Sequence, residues 1–372
     1  MNKVEKKNFS RLLNILLFFM SFSLSLFFCE IFVRKFHPQP LGGNFRTFSK
    51  NKDYFINIPN KKTFAKIKEY KTFYQTDSNG WRGGILNKNG NFKIAFLGDS
   101  YTFGLYLDIE KTYPYQFYSN LKEENTYLKD DLGIINAAIP ASGIADSLAY
   151  LQDYGNYLDS RIIVLGINAT SFSRGYKNTL FKINCSKNNI SRELIPNDRS
   201  KGYDLISSIL RENFLTNNSE LYYLIRKSIS KFREDILNRN VEIPYTYKDV
   251  DQKDVICTAE NYLREIKNVT DKLGARLIVL NLGFHVLENN FFSKEMLEIS
   301  PDSITLKNLK NITEKLDINY IDASSYIKKG IKEYESVIIP GDGHPNGLGN
   351  YQVSKALEKK LVPIIKEIQI GN

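Results

Sequence analysis

Apolar residues along this chain fall into two patterns. The longest apolar run extends from Leu12 to Cys29, and only Asn14 and three serines interrupt it. A helix of that length spans about 27 Å, close to the thickness of the hydrocarbon core of a membrane. From residue 92 onwards, short apolar segments alternate with stretches in which apolar residues recur at helical spacing. This second pattern predicts strands that alternate with helices, and hence a parallel sheet covered by helices.

Five short apolar segments are strand candidates: 93–97, 133–138, 161–166, 276–282 and 319–321. Helices are predicted at 142–154, 259–273, 306–316 and about 348–368. This alternation is typical of a three-layer, doubly wound α/β domain. The stretch 171–250 breaks it, and its apolar residues predict a helical insertion. Those apolar residues are Leu205, Ile209, Leu210, Phe214, Leu221, Leu224 and Ile225.

The chain is therefore expected to have four parts. An N-terminal cytoplasmic tail covers 1–11, a transmembrane signal anchor covers 12–33, a polar and aromatic lead-in covers 34–90, and the α/β domain covers 91–372. The lead-in ends in Ser78-Asn79-Gly80-Trp81-Arg82-Gly83-Gly84, a sequence rich in turn-forming residues. We expect it to wrap over the surface of the domain.

The N-terminal run continues past Glu30 through Ile31–Val33, which makes it long for a cleavable signal, and its small residues lie inside the apolar stretch. We interpret it as an uncleaved anchor in the cytoplasmic membrane. Lipid attachment at Cys29 is a second interpretation, disfavoured because the small residues that normally precede such a cysteine are missing. Basic residues lie on both sides of the span, so the sequence leaves open on which side the domain lies.

Composition narrows the function classes. Of 372 residues, 42% are hydrophobic and 25% are charged, which is typical of a folded globular chain. The net charge of +10 is compatible with anionic lipid or polysaccharide, but no cluster of Lys and Arg with interleaved aromatics predicts a nucleic-acid groove. The spacing of His and Cys predicts no metal, and the sequence contains no phosphate-binding loop or other cofactor motif. Cys185 and Cys257 can pair if the domain is exported, or can be two buried thiols.

In a doubly wound sheet, reactive groups gather at the carboxyl ends of the strands. Ser100 follows the first predicted strand in Gly98-Asp99-Ser100, where a tight turn into a helix would expose the serine and stabilise negative charge. A simpler interpretation is that Asp99 or Ser100 only caps the helix.

A nucleophilic serine needs a base, and the chain has three histidines. His37 lies beside the membrane span, and His285 follows the fourth predicted strand. His344 lies in a loop before the last helix, two residues after Asp342, a carboxylate that can orient its imidazole. This position favours His344.

Four blocks of sequence, in order, resemble the SGNH/GDSL hydrolase family. They are Leu97-Gly98-Asp99-Ser100-Tyr101-Thr102-Phe103-Gly104, Asn136-Ala137-Ala138-Ile139-Pro140-Ala141-Ser142-Gly143, Val164-Leu165-Gly166-Ile167-Asn168-Ala169 and Asp342-Gly343-His344-Pro345-Asn346. The resemblance extends from about Thr76 to the C-terminus, and the anchor with its Asn-Gly-Trp-Arg lead-in is similar to membrane-tethered bacterial members. It implies the flavodoxin-like fold of that family.

The resemblance implies that Ser100 is the nucleophile, His344 the base and Asp342 the residue that orients His344. The implied oxyanion donors are the backbone N–H of Ser100, a backbone N–H at Ala141 and the side-chain amide of Asn168, with Gly143 as a substitute for Ala141. Three positions depart from the family pattern. Ala141 replaces a glycine, Ala169 replaces an aspartate that helps to fix the asparagine, and the carboxylate stands two rather than three residues before His344.

The resulting hypothesis is a membrane-anchored serine esterase outside the cytoplasmic membrane that cleaves O-acyl esters, with O-acetyl esters of envelope glycan expected first. An O-acyltransferase using the same site and a noncatalytic polysaccharide-binding protein are the alternatives. No cofactor or nucleic acid is expected as a partner. The sequence indicates neither acyl length nor oligomeric state.

Overall fold

The computed structural model describes residues 3–49, 54–124, 131–168, 170–176, 180–193, 214–237, 251–290, 301–334, 336–340 and 342–370. The α-helices are α1 (Lys3–Phe36), α2 (Ser100–Phe103), α3 (Tyr113–Glu124), α4 (Ile144–Leu158), α5 (Ser171–Tyr176), α6 (Phe214–Asn218), α7 (Glu220–Leu237), α8 (Gln252–Lys272), α9 (Pro301–Lys315), α10 (Ser324–Glu333) and α11 (Gly347–Ile370). The strands are β1 (Leu41–Gly42), β2 (Arg46–Phe48), β3 (Phe55–Asn57), β4 (Lys62–Ile67), β5 (Tyr70–Gln75), β6 (Ile85–Leu86), β7 (Phe92–Leu97), β8 (Leu132–Asn136), β9 (Ile162–Ile167), β10 (Phe181–Asn184), β11 (Asn189–Arg192), β12 (Arg276–Asn281) and β13 (Asn319–Asp322). Short 3-10 helices cover Ile109–Lys111 and Phe284–Asn290.

The chain divides into two compact units. The first consists of residues 1–44, 64–71 and 199–243, and the second of residues 45–63, 72–198 and 244–372. The predicted boundary at residue 90 does not coincide with this division, because residues 45–63 and 72–90 belong with the α/β unit.

The first unit is built around α1. Part of this helix, Arg11–Phe36, is long and apolar enough to cross a membrane, with an 18-residue window of mean hydropathy 2.2, properties that a signal sequence shares. Near its C-terminal end, the carboxylate of Glu30 accepts hydrogen bonds from Ser219 Oγ (2.8 Å) and from the backbone N–H groups of Glu220 (2.9 Å) and Leu221 (3.0 Å). Because the first N–H groups of a helix lack partners within it, Glu30 acts as a cap for α7.

The second unit has a six-stranded sheet in the order β13-β12-β9-β7-β8-β6. The first five of these strands are parallel, and β6 pairs antiparallel with β8 at one edge. Numbered along the chain, the parallel strands run 2-1-3-4-5, which is the flavodoxin-like order. The predicted doubly wound α/β fold is therefore confirmed, and the two-residue edge strand is an addition to it.

Apolar side chains fill both faces of this sheet. On one face, α4, α8 and α9 bury residues such as Leu148, Leu263 and Leu309. On the other, α3, α10 and α11 bury residues such as Phe117, Ile327 and Leu357. All six residues of β9 are buried, because helices cover both sides of the strand. The three-layer arrangement fixes the carboxyl ends of β7, β8 and β9 side by side.

The described residues of the insertion after β9 are not all helical. They include the antiparallel hairpin β10–β11 as well as α6 and α7. The predicted helical residues Leu205, Ile209 and Leu210 lie outside the described residues. Cys185, just after β10, forms a disulfide with Cys257 of α8, with 5.9 Å between the Cα atoms. Of the two interpretations of these cysteines, the structure therefore has the disulfide.

The end of the lead-in is buried rather than wrapped over the surface. Trp81 and Arg82 are 3% and 2% exposed. Trp81 Nε1 donates a hydrogen bond to the hydroxyl of Tyr150 at 3.0 Å. The turn that carries these residues leads directly into the edge strand β6, and this explains why it enters the core.

Candidate active site

Ser100 lies at the carboxyl end of the central strand β7. Gly98 adopts φ +146°, and a Cβ at that position would lie 2.3 Å from Thr102 Oγ1 and 2.9 Å from the carbonyl oxygen of Gly166. Only glycine therefore fits this turn. Asp99 caps α2 by accepting a hydrogen bond from the N–H of Tyr101 (2.9 Å), so Ser100 becomes the first residue of the helix.

His344 and Asp342 lie in the loop before α11. Nε2 of His344 is 2.9 Å from Ser100 Oγ, and Nδ1 of His344 contacts Asp342 Oδ1. The loop is held by the backbone, since the N–H of Ile339 donates to the carbonyl oxygen of His344 at 2.7 Å. The three residues singled out in the sequence therefore form a continuous serine–histidine–aspartate chain of contacts.

Two aromatic rings enclose His344. The centroids of Tyr101 and Tyr106 lie 5.3 and 5.7 Å from that of the imidazole. The hydroxyl of Tyr101 donates to the carbonyl oxygen of Gly343 at 3.0 Å, which ties α2 to the histidine loop. Sequence reasoning did not assign these residues, although both follow Ser100 within a few positions. They limit the rotation of the imidazole and thereby help to position it.

The loop after β8 supplies a backbone donor at Ala141. Ala141 adopts φ +62°, the left-handed region that favours glycine, so the backbone keeps a glycine-like conformation despite the methyl group. Within the part of the chain that the structure describes, the N–H groups of Ser100 and Ala141 donate to no other group. Both are therefore available to an incoming oxyanion.

Gly143 is not available in the same way. Its N–H donates to Asp146 Oδ2 at 2.7 Å and so caps α4. The predicted substitution of Gly143 for Ala141 as a donor would require the N–H group of Gly143 to give up this capping hydrogen bond. Burial raises the pKa of the Asp146 carboxyl, and the hydrogen bond from Gly143 opposes the rise.

Asn168 follows β9 and is buried. Its Oδ1 accepts hydrogen bonds from the N–H of Thr170 (2.8 Å) and from Ser171 Oγ (3.1 Å), which fixes the orientation of the amide. Nδ2 donates to Asp99 Oδ2 at 2.5 Å. An amide nitrogen carries two hydrogens, so one remains for an oxyanion. The chain has Ala169 at the position where an aspartate was expected to help to fix Asn168. This alanine lies outside the described residues.

Asp99 is 2% exposed and accepts three donors: the N–H of Tyr101, Nδ2 of Asn168 and, at 3.0 Å, Nη1 of Arg174. Burial raises the pKa of Asp99, and the charge of Arg174 is the largest influence that lowers it. The carboxylate that holds Asn168 is therefore itself paired with a cation.

Arg82 stabilises the turn that follows α2. Nη1 donates to the carbonyl oxygens of Phe103 and Gly104 (2.7 Å to Gly104), and Nη2 donates to that of Leu107. The guanidinium also lies 4.7 and 4.9 Å from the ring centroids of Tyr74 and Phe103. Burial lowers the pKa of Arg82 to about 10. The sequence motif that contains Trp81 and Arg82 does not by itself predict this stabilising role of Arg82.

The remaining histidine near this edge of the sheet, His285, lies in the 3-10 helix after β12, and burial lowers its pKa. Within the described ranges, no cluster of three or more His, Cys, Asp or Glu side chains is arranged to hold a metal ion.

No family model and no curated protein matches the chain. Solved structures that it is similar to include TesA, with 11% identity, a TM-score of 0.41 and a match over 73% of this chain and 98% of that one. LAE5, an alpha/beta hydrolase enzyme from the metagenome of Lake Arreo, Spain, has 13% identity and a TM-score of 0.41 over 73% and 95% of the two chains. A catalytic mutant of Axe2, an acetylxylan esterase from Geobacillus stearothermophilus, has 12% identity and a TM-score of 0.41 over 74% and 96%.

Proposed function

We propose that this protein is an SGNH/GDSL-type carboxylic ester hydrolase whose nucleophile is Ser100. The observation that carries the proposal is the chain of contacts from Ser100 Oγ through His344 to Asp342, with 2.9 Å between Oγ and Nε2. This arrangement matches the geometry required for a serine activated by a general base that a carboxylate orients. Two unoccupied backbone N–H groups and the Asn168 amide lie on the turns that surround the serine.

In the proposed reaction, Ser100 Oγ attacks the carbonyl carbon of the ester while its proton passes to His344 Nε2. The π electrons of the carbonyl move to its oxygen, where the N–H groups of Ser100 and Ala141 and the amide of Asn168 stabilise the negative charge. The tetrahedral intermediate then collapses, the bond to the alkoxy group breaks, and this leaving group takes the proton from His344. Water repeats the sequence on the acyl-enzyme, releases the carboxylic acid and restores Ser100.

The proposed location is the outer side of the cytoplasmic membrane, with α1 as a single-pass anchor. Support comes from the apolar segment Arg11–Phe36 and from the Cys185–Cys257 disulfide, because structural disulfides persist mainly in oxidising compartments. A tethered esterase there would meet O-acylated envelope glycan, and we propose O-acetyl esters of such glycan as the substrate. A sugar hydroxyl in place of water as the acceptor would make the same site an O-acyltransferase.

Labelling with a fluorophosphonate tests the proposed chemistry. The full-length wild-type protein in detergent is expected to form one covalent adduct, mapped by peptide mass to Ser100, and to hydrolyse nitrophenyl acetate at a rate that falls in parallel with labelling. Ser100 is 6% exposed, while Ser324 on the same edge of the domain is partly exposed and serves as a nucleophile control. An adduct on Ser324, or a Ser100→Ala variant that labels as fast as wild type, would contradict the assignment.

Reporter fusions at the C-terminus test the proposed location. We expect an alkaline phosphatase fusion to be active and a fluorescent-protein fusion to be dark, because the first folds only after export and the second only in the cytoplasm. The Cys185–Cys257 pair gives an independent measurement: thiol labelling of the unfolded chain should modify only Cys29 until a reductant is added. A bright fluorescent fusion with three reactive thiols would place the domain inside.

A further inference from the structure

One guanidinium connects the three turns that carry the proposed oxyanion donors. Arg174, in α5, directs Nη1 at both Asp99 Oδ2 (3.0 Å) and the carbonyl oxygen of Ser142 (3.1 Å). Asp99 directly precedes Ser100 after β7, and Ser142 directly follows Ala141 after β8. Through Asp99, which also accepts from Asn168 Nδ2 at 2.5 Å, the contact extends to the turn after β9.

The charge of Asp99 makes this connection important. Its side chain is 2% exposed, so the carboxylate has little water to screen it. It is also hydrogen-bonded to the amide that is to stabilise an oxyanion. An uncompensated carboxylate at this point would repel the negative charge that develops on the substrate oxygen, and in a poorly hydrated site that repulsion is strong. Arg174 is the cation in direct contact with it in the described part of the chain.

The other two groups that donate hydrogen bonds to Asp99 are neutral. The N–H of Tyr101 and the amide of Asn168 satisfy its hydrogen-bonding capacity but leave its charge in place. The Arg174 side chain is 36% exposed, so it reaches the carboxylate from the edge of the site without itself being fully desolvated. A cation in this position compensates the charge at a modest desolvation cost.

We propose that Arg174 is a positioning residue for the oxyanion site: it neutralises Asp99 and holds the Ala141–Ser142 loop against the Ser100 turn. This inference rests on the proposed function. In this chain, Asp99 would then orient the amide of Asn168, and Arg174 would compensate the charge of Asp99. The pair would thus replace the aspartate that is missing at position 169, where the chain has an alanine.

The test compares Arg174→Met with Arg192→Met in the full-length protein. Arg192 also forms an ion pair, with 2.7 Å from Nη1 to Asp153 Oδ1 and side chains that are 16% and 24% exposed. This pair joins the β10–β11 hairpin to α4. We expect Arg174→Met to lower kcat for nitrophenyl acetate about 10- to 100-fold with KM changed less than about threefold, because the lost interaction acts mainly on the transition state. Arg192→Met is expected to retain kcat, since its ion pair lies away from the serine.

Two further variants separate charge compensation from a general structural effect. Arg174→Lys keeps the cation and should retain more activity than Arg174→Met. The double variant Asp99→Asn/Arg174→Met removes both charges and should recover at least several-fold of the kcat lost in Arg174→Met. All rates are taken per active site, titrated with the fluorophosphonate, so that misfolded protein does not count.

Equal kcat values for Arg174→Met and Arg192→Met in an active enzyme would overturn this inference alone. A double variant no faster than Arg174→Met would likewise overturn the charge compensation. A wild-type protein that neither hydrolyses the ester nor reacts with the fluorophosphonate would overturn the proposed function, and this inference with it.

Discussion

Replacing His344 with alanine is expected to lower kcat/KM by about five to six orders of magnitude. Nε2 of His344, the proposed base, lies 2.9 Å from Ser100 Oγ, and without it we expect the hydroxyl to keep its proton. Removing the histidine of a serine triad costs about as much as removing the whole triad, whereas removing the aspartate costs about four orders of magnitude. Asp342→Asn is therefore expected to give the smaller loss. Steady-state hydrolysis of nitrophenyl acetate measures both.

His285→Ala is the matched control for this prediction. His285 is a partly buried histidine that follows β12 at the same end of the sheet, but it is not part of the contact chain of Ser100. We expect its removal to change kcat/KM less than about tenfold. If His285→Ala abolishes hydrolysis while His344→Ala leaves it intact, the base has been assigned to the wrong residue.

Replacing Arg82 with methionine is expected to lower the free energy of unfolding by about 3–5 kcal/mol. The substitution preserves much of the side-chain volume but leaves the carbonyl oxygens of Phe103, Gly104 and Leu107 without their buried donor. A buried carbonyl oxygen left without a hydrogen-bond partner costs about 1–3 kcal/mol, and the substitution removes a donor from three of them. The midpoint and slope of denaturant unfolding measure the change.

The comparison for Arg82→Met is Arg276→Met. Arg276 is 38% exposed and pairs with Glu367, which is 66% exposed, so its loss should cost no more than about 1 kcal/mol. If the two variants unfold at the same denaturant concentration, the contacts of Arg82 with the turn after α2 contribute little to stability.

Most strands that the sequence predicted are buried on both faces of the sheet, and such strands form a continuous apolar run. Segment 93–97 corresponds to β7 (Phe92–Leu97), and segment 276–282 corresponds to β12 (Arg276–Asn281). The hairpin β10–β11 was missed because its polar and apolar residues alternate over only four positions in each strand. Two-residue strands such as β6 carry too little pattern to be recognised.

The residues of the candidate site also differ in how far the sequence predicts them. Ser100, His344 and Asp342 belong to short local motifs, so a linear reading can find them. Arg174 is 75 residues from Asp99 in sequence, and only the packing of α5 brings the two together. The hydrogen bond from the N–H of Gly143 to Asp146 is a local feature, since the carboxylate lies three residues after the N-cap of α4. This spacing is a known capping pattern, so the sequence alone could have predicted it.

The cap that Glu30 forms on α7 makes the N-terminal helix α1 part of the folded first unit. Glu30 lies in an apolar segment long enough to cross a membrane, where an unpaired carboxylate is costly. It accepts hydrogen bonds from Arg34 Nε at 2.6 Å, from one hydroxyl and from two backbone N–H groups. The first turn of α7, 190 residues after Glu30 in the chain, therefore depends on α1 for its cap. A truncated chain that starts after α1 loses this cap, so α7 should fray at its first turn even where the α/β unit folds normally.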